Sequence, residues 1–201
     1  MKKSVEEHAD RFDEIASDYD DDNSAEYRAC ADLVIEAANP SADDVVLDLG
    51  TGTGAIALAL ADAVDRVVGR DVSEGMLSEA RGKAADRGIE NAEFGTGRFR
   101  APEYDGPADV IVSNFAMHHL NDEEKREAIE VVAGYDPRRF VLGDLMFFGQ
   151  PDPDEPFYDP ELDDPATVGT LVEILTDAGF AVTHVHRVHE QVGVIVAERR
   201  D

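Results

Sequence analysis

The chain has 201 residues, and its 45 acidic side chains against 18 basic ones give a formal net charge of −27. This length predicts one domain with a core of ordinary size, and the acidity argues against nucleic acid as a partner, because phosphate binding needs clustered lysine and arginine. No apolar stretch approaches the roughly 18 residues of a membrane span, and the single cysteine, Cys30, excludes an internal disulfide.

Acidic residues are spread over the whole chain rather than gathered in a tail. Such a charge repels itself at ordinary ionic strength, but salt near ~1 M shortens the Debye length to about 3 Å. We therefore expect a protein from a halophile. Residues 1–7 have no signal-peptide core, so we also expect a cytoplasmic location.

Two helices are predicted in the first 40 residues. Four side chains recur at the spacing of one helix face, namely Phe12, Ile15, Ala16 and Tyr19. A second helix begins after Asn23 or Ser24, either of which suits an N-cap, and ends at Ala38 before an Asn-Pro pair. We interpret Cys30, inside this helix, as a small core residue.

A glycine-rich turn between a strand and a helix follows. Residues 45–49 are aliphatic and β-branched, which is typical of a buried parallel strand, and residues 55–63 are rich in alanine and leucine, which favours a helix. Between them Gly50, Gly52 and Gly54 alternate with threonines. Glycine permits a sharp turn and lets a ligand approach bare backbone at a helix N-terminus.

The next strand, residues 66–70, ends at Asp71, about 20 residues beyond the glycine turn. A carboxylate at this distance can accept both ribose hydroxyls of an adenosyl ligand. Ser73 is a predicted N-cap for a helix that runs to Arg87 and is closed by Gly88. Further strands are predicted at 92–96, 108–113 and 139–146.

The fourth strand leads into residues 114–120, Asn-Phe-Ala-Met-His-His-Leu, and then into a helix capped by Asn121. Residues 149–165 contain five prolines and predict an irregular flap, either functional or a solvated insertion. A helix at 167–178 and a hairpin of strands 180–188 and 192–197 close the chain. His184 and His186 share one strand face, but without a nearby third ligand we predict no metal site.

Three segments together resemble the class I S-adenosylmethionine-dependent methyltransferases, especially the small-molecule type that includes quinone C-methyltransferases. They are the pattern Asp48-x-Gly50-x-Gly52-x-Gly54, the acidic strand end at Asp71, and residues 113–120. The glycine spacing differs from the dinucleotide pattern Gly-x-Gly-x-x-Gly, in which the third glycine falls one position later. The resemblance implies a Rossmann-like, doubly wound, mostly parallel seven-stranded sheet with a C-terminal antiparallel hairpin.

This resemblance divides the single domain, residues 1–201, into four parts. Residues 1–40 are an N-terminal helical cap over the cofactor pocket, and residues 41–148 are the cofactor-binding core. Residues 149–165 are the acidic, proline-rich flap, and residues 166–201 are the closing helix and hairpin.

The resemblance also implies which side chains hold S-adenosylmethionine. They are Tyr19, Asp48, Gly50, Thr51, Gly52, Asp71, Val72, Met76, Arg98, Phe99, Asn114 and Phe115. Arg98 stands where family members often have an aspartate that accepts from the adenine amino group, and an arginine has no acceptor. That contact is therefore lost, comes from backbone, or is replaced by stacking of Arg98 on the base.

The activity implied is in-line transfer of the sulfonium methyl to a small-molecule acceptor, in a monomer or homodimer. His118 is the candidate general base, since an unperturbed imidazole titrates near neutral pH. We favour the alternative interpretation, in which the His118-His119 pair caps the turn. Two alternatives remain open: a non-catalytic S-adenosylmethionine-binding or scaffold protein, and an NAD-type dehydrogenase.

Overall fold

The computed structural model describes residues 5–20, 23–150 and 157–199. Its helices are α1 Val5–Ile15, α2 Ala25–Ala38, α3 Ala55–Leu60, α4 Glu74–Arg87, α5 Asp122–Gly134 and α6 Val168–Asp177. Its strands are β1 Val45–Leu49, β2 Arg66–Asp71, β3 Ala92–Thr96, β4 Val110–Asn114, β5 Arg139–Phe147, β6 Ala166–Thr167, β7 Phe180–His189 and β8 Val192–Arg199. Short 3-10 turns occupy Ala61–Ala63 and Met117–His119.

The main sheet has the strand order β3-β2-β1-β4-β5-β8-β7. The first five strands in this order are parallel, and β8 and β7 are antiparallel to their neighbours. The predicted Rossmann-like architecture is therefore confirmed. One strand was not predicted: β6, of two residues, pairs in parallel with the end of β5.

Strand order reverses between β1 and β4, and this reversal positions the site. Loops leaving the carboxyl ends of these two strands diverge to opposite sides, which leaves a crevice at that edge of the sheet. The glycine turn follows β1, and residues 115–120 follow β4. Both predicted functional segments therefore lie at the same crevice.

Two apolar layers enclose the sheet, one on each face. The first unites buried side chains of α2, α3 and α4, including Cys30, with alternate sheet residues such as Val46. The second unites α5 and α6 with the residues between them, such as Leu47. Successive strand residues point to opposite faces, so strands this apolar must be covered on both sides.

Helix boundaries follow their capping residues. The side chain of Ser73 accepts from the backbone N–H of Met76 at the start of α4, and Gly88 ends that helix in the left-handed conformation. Asn121 and Glu124 form a reciprocal capping box at the start of α5. These predicted boundaries are confirmed. They could be predicted because each cap depends on contacts within four residues.

The predicted helix face near the N-terminus is wrong. Helix α1 ends at Ile15, which is 38% exposed, and Tyr19 lies in the turn that follows. The side chain of Asp20 accepts a hydrogen bond from Thr53 Oγ1 at 2.7 Å and pairs with Lys83. These contacts draw the chain down onto the glycine turn, and tertiary contacts of this kind override a weak periodic pattern.

The predicted cap is also smaller than residues 1–40. Helix α2 packs its buried face, with Val34, on the sheet, so most of it belongs to the sheet layers. Helix α1 is attached instead to the start of α4, where Asp13 Oδ1 accepts from the N–H of Gly75 at 2.8 Å. The cap consists of α1, its following turn and the first turn of α2.

Part of the predicted flap lies outside the described residues, namely 151–156. Residues 157–165 form no helix or strand, as expected. They lie against the protein, with Leu162 buried and the N–H of Asp164 donating to the carbonyl of His118 at 2.7 Å. Within the described residues, no helix is long and apolar enough to cross a membrane.

The N-cap of α2, left open between Asn23 and Ser24, gives the first testable prediction. Ser24 is the cap, because its side chain accepts from the N–H of Tyr27 at 3.0 Å. We expect Ser24→Ala to reduce the free energy of unfolding by about 1 kcal/mol, which corresponds to a fall of about 2–4 °C in Tm. The matched control Asn23→Ala should change Tm by less than about 1 °C, and equal shifts in the two variants would contradict this assignment.

Candidate active site at the carboxyl ends of β1 and β4

A cavity of about 330 Å³ opens at the predicted crevice. Its walls come from the glycine turn after β1, the end of β2, the loop after β3, the loop after β4, and the cap. A volume of this order suits a small organic ligand.

All twelve side chains or backbone positions predicted to hold a cofactor line this cavity. They are Tyr19, Asp48, Gly50, Thr51, Gly52, Asp71, Val72, Met76, Arg98, Phe99, Asn114 and Phe115. Their role in cofactor binding stays a prediction. What the structure shows is that residues up to 96 positions apart in sequence share one cavity wall, as a single ligand site requires.

The glycine turn brings the loops after β1 and β4 into contact. Gly50 has φ +71°, and a Cβ built on it would lie 2.4 Å from the Cβ of Ala116. A larger residue at Gly50 would therefore be strained and would separate the two loops. Gly52 has φ +53° but no atom within 4 Å of a built Cβ, so its open side faces the cavity without obstruction.

Asp71 connects the end of β2 to both neighbouring loops. Its carboxylate accepts from the N–H of Gly52 at 2.8 Å and from the N–H of Ser73 at 3.0 Å. Burial raises the pKa of this carboxyl group, and the backbone N–H donors oppose that rise. The N–H groups of Gly52 and Ser73 thus hold the Asp71 carboxylate in one position at the cavity wall.

Asp48 is a second buried carboxyl group on the same wall, 1% exposed. Its Oδ2 accepts from the hydroxyl of Thr51 at 2.7 Å, whereas its Oδ1 has no hydrogen-bond partner in the described part of the chain. Burial, with a further contribution from Asp71, raises the pKa of Asp48 to about 7. An unpartnered carboxylate oxygen in a cavity is suited to a ligand that donates or carries positive charge.

Aromatic rings from the cap and from the loop after β4 line the rest of the cavity. Neighbouring rings lie with their centroids 4.8 to 6.5 Å apart. The set comprises His8, Phe12, Tyr19, Tyr27, Phe115 and His119. Burial, aided by Asp71, raises the pKa of Tyr19 to about 12, so its hydroxyl stays neutral and this wall presents mainly uncharged rings.

The loop after β4 begins with a strained residue. Phe115 has φ +53°, a conformation that is uncommon for a bulky side chain, and its N–H donates to the carbonyl of Gly143 at 2.9 Å. The preceding Asn114 is buried and also lines the cavity. Strain of this kind concentrates at ligand sites, and here it turns the Phe115 ring toward the cavity.

His118, the candidate base, lies behind the cavity wall and does not line it. Its Nδ1 is 2.5 Å from Oδ1 of Asp144, and its backbone N–H donates to Oδ2 of the same carboxylate at 3.0 Å. His119 lines the cavity instead. Burial, with a smaller contribution from His118, lowers the pKa of His119 to about 4 against the opposing effect of Asp163.

Arg98 lines the cavity at the loop after β3. Its backbone N–H and carbonyl both pair with Ala101, at 2.8 and 3.0 Å. This short bridge commits the Arg98 carbonyl, which weakens the hypothesis that this carbonyl replaces the missing aspartate. Stacking of its guanidinium on a base stays a prediction.

The lining residues that were not predicted to belong to the site include three with rings, His8, Tyr27 and His119. His8 stands four positions before Phe12 and so shares its helix face, which was a usable signal. His119 was visible as the second member of the histidine pair, but only the geometry of the 3-10 turn shows which imidazole faces inward. Tyr27 carried no local signal. His184 and His186 are exposed and stacked 5.8 Å apart.

Comparison with known proteins agrees with this geometry. The methyltransferase domain family matches residues 46–134. An uncharacterized methyltransferase from Bacillus pumilus (strain SAFR-032) is 28% identical over 207 aligned positions, covering 96% of this chain and 94% of the relative. The uncharacterized methyltransferase YrrT from Bacillus subtilis (strain 168) is 33% identical over 166 positions, covering 75% and 76% of the two chains. The chain belongs to the methyltransferase family.

The architecture of this methyltransferase is also found among solved structures. A structure described as the DhpI-SAM-HEP complex matches with a TM-score of 0.77, over 96% of this chain and 97% of that chain, at 20% identity. Identity this low shows only that the two proteins share a fold.

The raised pKa of Asp48 predicts a pH dependence of stability. Because the pKa of this carboxyl is about 7 in the folded chain and 3.8 ordinarily, the folded state binds more protons between these values. The free energy of unfolding should therefore fall as pH rises from about 4 to 7, by up to about 4 kcal/mol from this group.

Urea unfolding at pH 5 and pH 8 in molar KCl tests this expectation. The difference between the two pH values should be smaller in Asp48→Asn by a few kcal/mol than in the parent chain. Asp65→Asn, at an exposed position in the turn before β2, is the control for loss of one negative charge. An unaltered pH dependence in Asp48→Asn would show that Asp48 is ionised throughout.

Proposed function

We propose that this methyltransferase uses S-adenosylmethionine as methyl donor and transfers the methyl group in line to a small-molecule acceptor. The observation that carries the proposal is the pair of buried carboxyl groups, Asp48 and Asp71, held at the glycine turn on one cavity wall. Arg98 and Arg100, from the loop after β3, also line the cavity. The unpartnered oxygen of Asp48 and the raised pKa of both acids nevertheless suit a ligand that brings positive charge to this wall.

The donor half of the cavity has a place for each part of this ligand. Gly50, Thr51 and Gly52 would lie against the methionine portion, beside the unpartnered oxygen of Asp48. Asp71 would accept the ribose hydroxyls. Bound there, S-adenosylmethionine supplies a methyl group already activated by its sulfonium.

The adenine would lie among apolar side chains. Met76 is both a core residue, 2% exposed, and part of the cavity wall, so its packing in the core is compatible with contact to the base. Val72 and Phe99 line the same region. Flat apolar surroundings suit a purine ring, which loses water-exposed surface on binding.

The acceptor half is the aromatic wall formed by the cap and Phe115. Uncharged rings with few polar groups favour an acceptor with a planar, apolar body. The walls of this enclosed cavity would hold acceptor and donor in one orientation, and alignment alone can contribute about 7–11 kcal/mol to lowering a barrier.

We further propose that alignment of donor and acceptor, rather than proton removal by a protein base, contributes most of the rate enhancement. His118 lies off the cavity wall with one ring nitrogen engaged by Asp144, and the neutral hydroxyl of Tyr19 does not accept a proton readily. The side chains of Asn114 and Phe115 would form the floor beside the transferred methyl group. Their role is to position the reactants and exclude water.

Calorimetric titration of S-adenosylmethionine and S-adenosylhomocysteine in molar KCl tests the donor site. We expect micromolar binding to the parent chain and at least tenfold weaker binding to Asp71→Ala, because that variant loses the ribose acceptor and releases the glycine turn. Asp65→Ala, which removes an exposed acid outside the cavity, should bind like the parent chain. Circular dichroism confirms that each variant is folded.

Failure of the folded parent chain to bind either compound would overturn the proposed donor. Binding without S-adenosylhomocysteine formation from any acceptor would favour the non-catalytic alternative. Quenching of NADH fluorescence by the protein, with no response to S-adenosylmethionine, would favour a dehydrogenase.

Turnover of His118→Ala tests the role of alignment. With an acceptor found by screening thiols, phenols and quinones, we expect this variant to bind S-adenosylhomocysteine normally and to lose less than tenfold in kcat. A general base at this position would instead cost about 10²–10⁴-fold in kcat with unchanged binding. That larger loss, with an unchanged KM for the acceptor, would restore His118 as the base and contradict our proposal.

A further inference from the structure

Three side chains of metal-ligating type meet behind the aromatic wall. His118 and His119 come from the 3-10 turn Met117–His119, and Asp163 comes from the segment 157–165. Oδ1 of Asp163 lies 3.8 Å from Nε2 of His118 and 3.0 Å from Nδ1 of His119. The ligating atoms of the three side chains all lie within 4.8 Å of one another.

This spacing is close to that of a tetrahedral metal site. Zinc binds imidazole nitrogen and carboxylate oxygen at about 2.0–2.2 Å, so two ligands of one tetrahedral ion lie about 3.4 Å apart. The separations from Asp163 fall on either side of this value. Small rotations of the side chains would bring the three ligands to bonding distance of one ion.

The surrounding hydrogen bonds orient these ligands. Asp144, a buried carboxylate, engages Nδ1 of His118 at 2.5 Å, so Nε2 is the ring nitrogen that faces Asp163. Oδ2 of Asp163 accepts from the N–H of Asp159 at 2.9 Å, which directs Oδ1 toward the two imidazoles. In zinc sites a carboxylate commonly accepts a hydrogen bond from the other ring nitrogen of a ligating histidine and fixes the orientation of the ring.

The three side chains do not satisfy one another by hydrogen bonds of good geometry. Nδ1 of His119 is buried and has no partner of acceptable geometry among the described residues, although Oδ1 of Asp163 lies only 3.0 Å away. Nε2 of His118 and Oδ1 of Asp163 face each other at 3.8 Å, too far apart for a hydrogen bond. A cation at their centre would satisfy all three atoms, and Asp144 and Asp163 would balance its two charges.

We propose that His118, His119 and Asp163 bind one divalent transition-metal ion of the zinc class, with water as the fourth ligand. Two imidazoles and one carboxylate favour such an ion over magnesium or calcium, which prefer oxygen ligands throughout. His119 alone of the three lines the cavity, so the ion lies behind the wall and holds structure.

The ion would attach the segment 157–165 to the loop after β4, and we call this attachment the latch. That segment is already held by the N–H of Asp164 on the carbonyl of His118, at 2.7 Å, and by Lys125 Nζ on the carbonyl of Asp164, at 2.5 Å. The ion adds a third attachment and fixes the ring of His119 in the cavity wall. Metal content would thereby set the shape of the acceptor half.

Zinc titration of the chelator-stripped protein in molar KCl tests the latch, since high salt suppresses diffuse binding of cations to this acidic chain. We expect one zinc per chain by calorimetry and mass spectrometry, and a higher Tm with zinc present. Asp163→Asn should weaken binding at least tenfold and abolish the rise in Tm. Asp144→Asn should weaken binding by about 10–100-fold.

The control is the double variant His184→Gln/His186→Gln, which removes the exposed stacked imidazoles and should bind zinc like the parent chain. Cobalt in place of zinc should give visible absorption bands of a tetrahedral site in the parent chain and not in Asp163→Asn. Equal zinc affinity of the parent chain and Asp163→Asn, or loss of binding in the double variant, would overturn the proposal. None of these readouts depends on methyl transfer, so they stand apart from the test of the donor site.

Discussion

The Asp71 carboxylate holds the functional edge of this methyltransferase together. It receives the N–H of Gly52 from the turn after β1 and the N–H of Ser73 from the start of α4. These contacts add to the N–H groups of Gly50 and Thr51, which donate to the carbonyl of Arg70 at 2.8 and 3.1 Å, and they extend the attachment to Gly52 and the start of α4. Burial raises the pKa of both Asp71 and Asp48, with a smaller contribution from Asp13 at Asp71 and from Asp71 at Asp48. Such an arrangement is stable when its ligand brings positive charge to the same wall.

Much of the fold could be predicted because its signals are local. Strand β1, the Ser73 cap and the Asn121 cap each depend on a few consecutive residues, and each lies where the sequence predicts. The residues that line the proposed donor half of the cavity could be predicted for a related reason. Its residues stand at the carboxyl ends of parallel strands, and topology brings those ends together.

The remaining features depend on contacts that sequence spacing does not encode. Tyr19 reaches the cavity from a turn, not from the predicted helix, because Asp20 is drawn to Thr53 and Lys83. Strand β6 has two residues and no pattern of its own. The inward orientation of His119 and the approach of Asp163, 44 positions further along the chain, are products of tertiary packing.

The two least regular parts of the chain close the cavity from different sides. The cap contributes His8, Phe12 and Tyr19 to the wall, fastened through Asp13 to the start of α4. Segment 157–165 supports the wall from behind, at the loop after β4. Under our proposal the rigid sheet positions the donor and these attached segments shape the acceptor half, a division that lets one fold serve many acceptors.

A crystal structure of the complex with S-adenosylhomocysteine, grown in molar KCl, tests the central claim most directly. Our account predicts the ribose hydroxyls on Asp71, the amino acid portion against Gly50–Gly52 beside Asp48, and the adenine among Val72, Met76 and Phe99. The homocysteine sulfur should then point toward Asn114, Phe115 and the aromatic wall. A ligand bound elsewhere, or a cavity that stays empty at saturating concentration, would contradict the account.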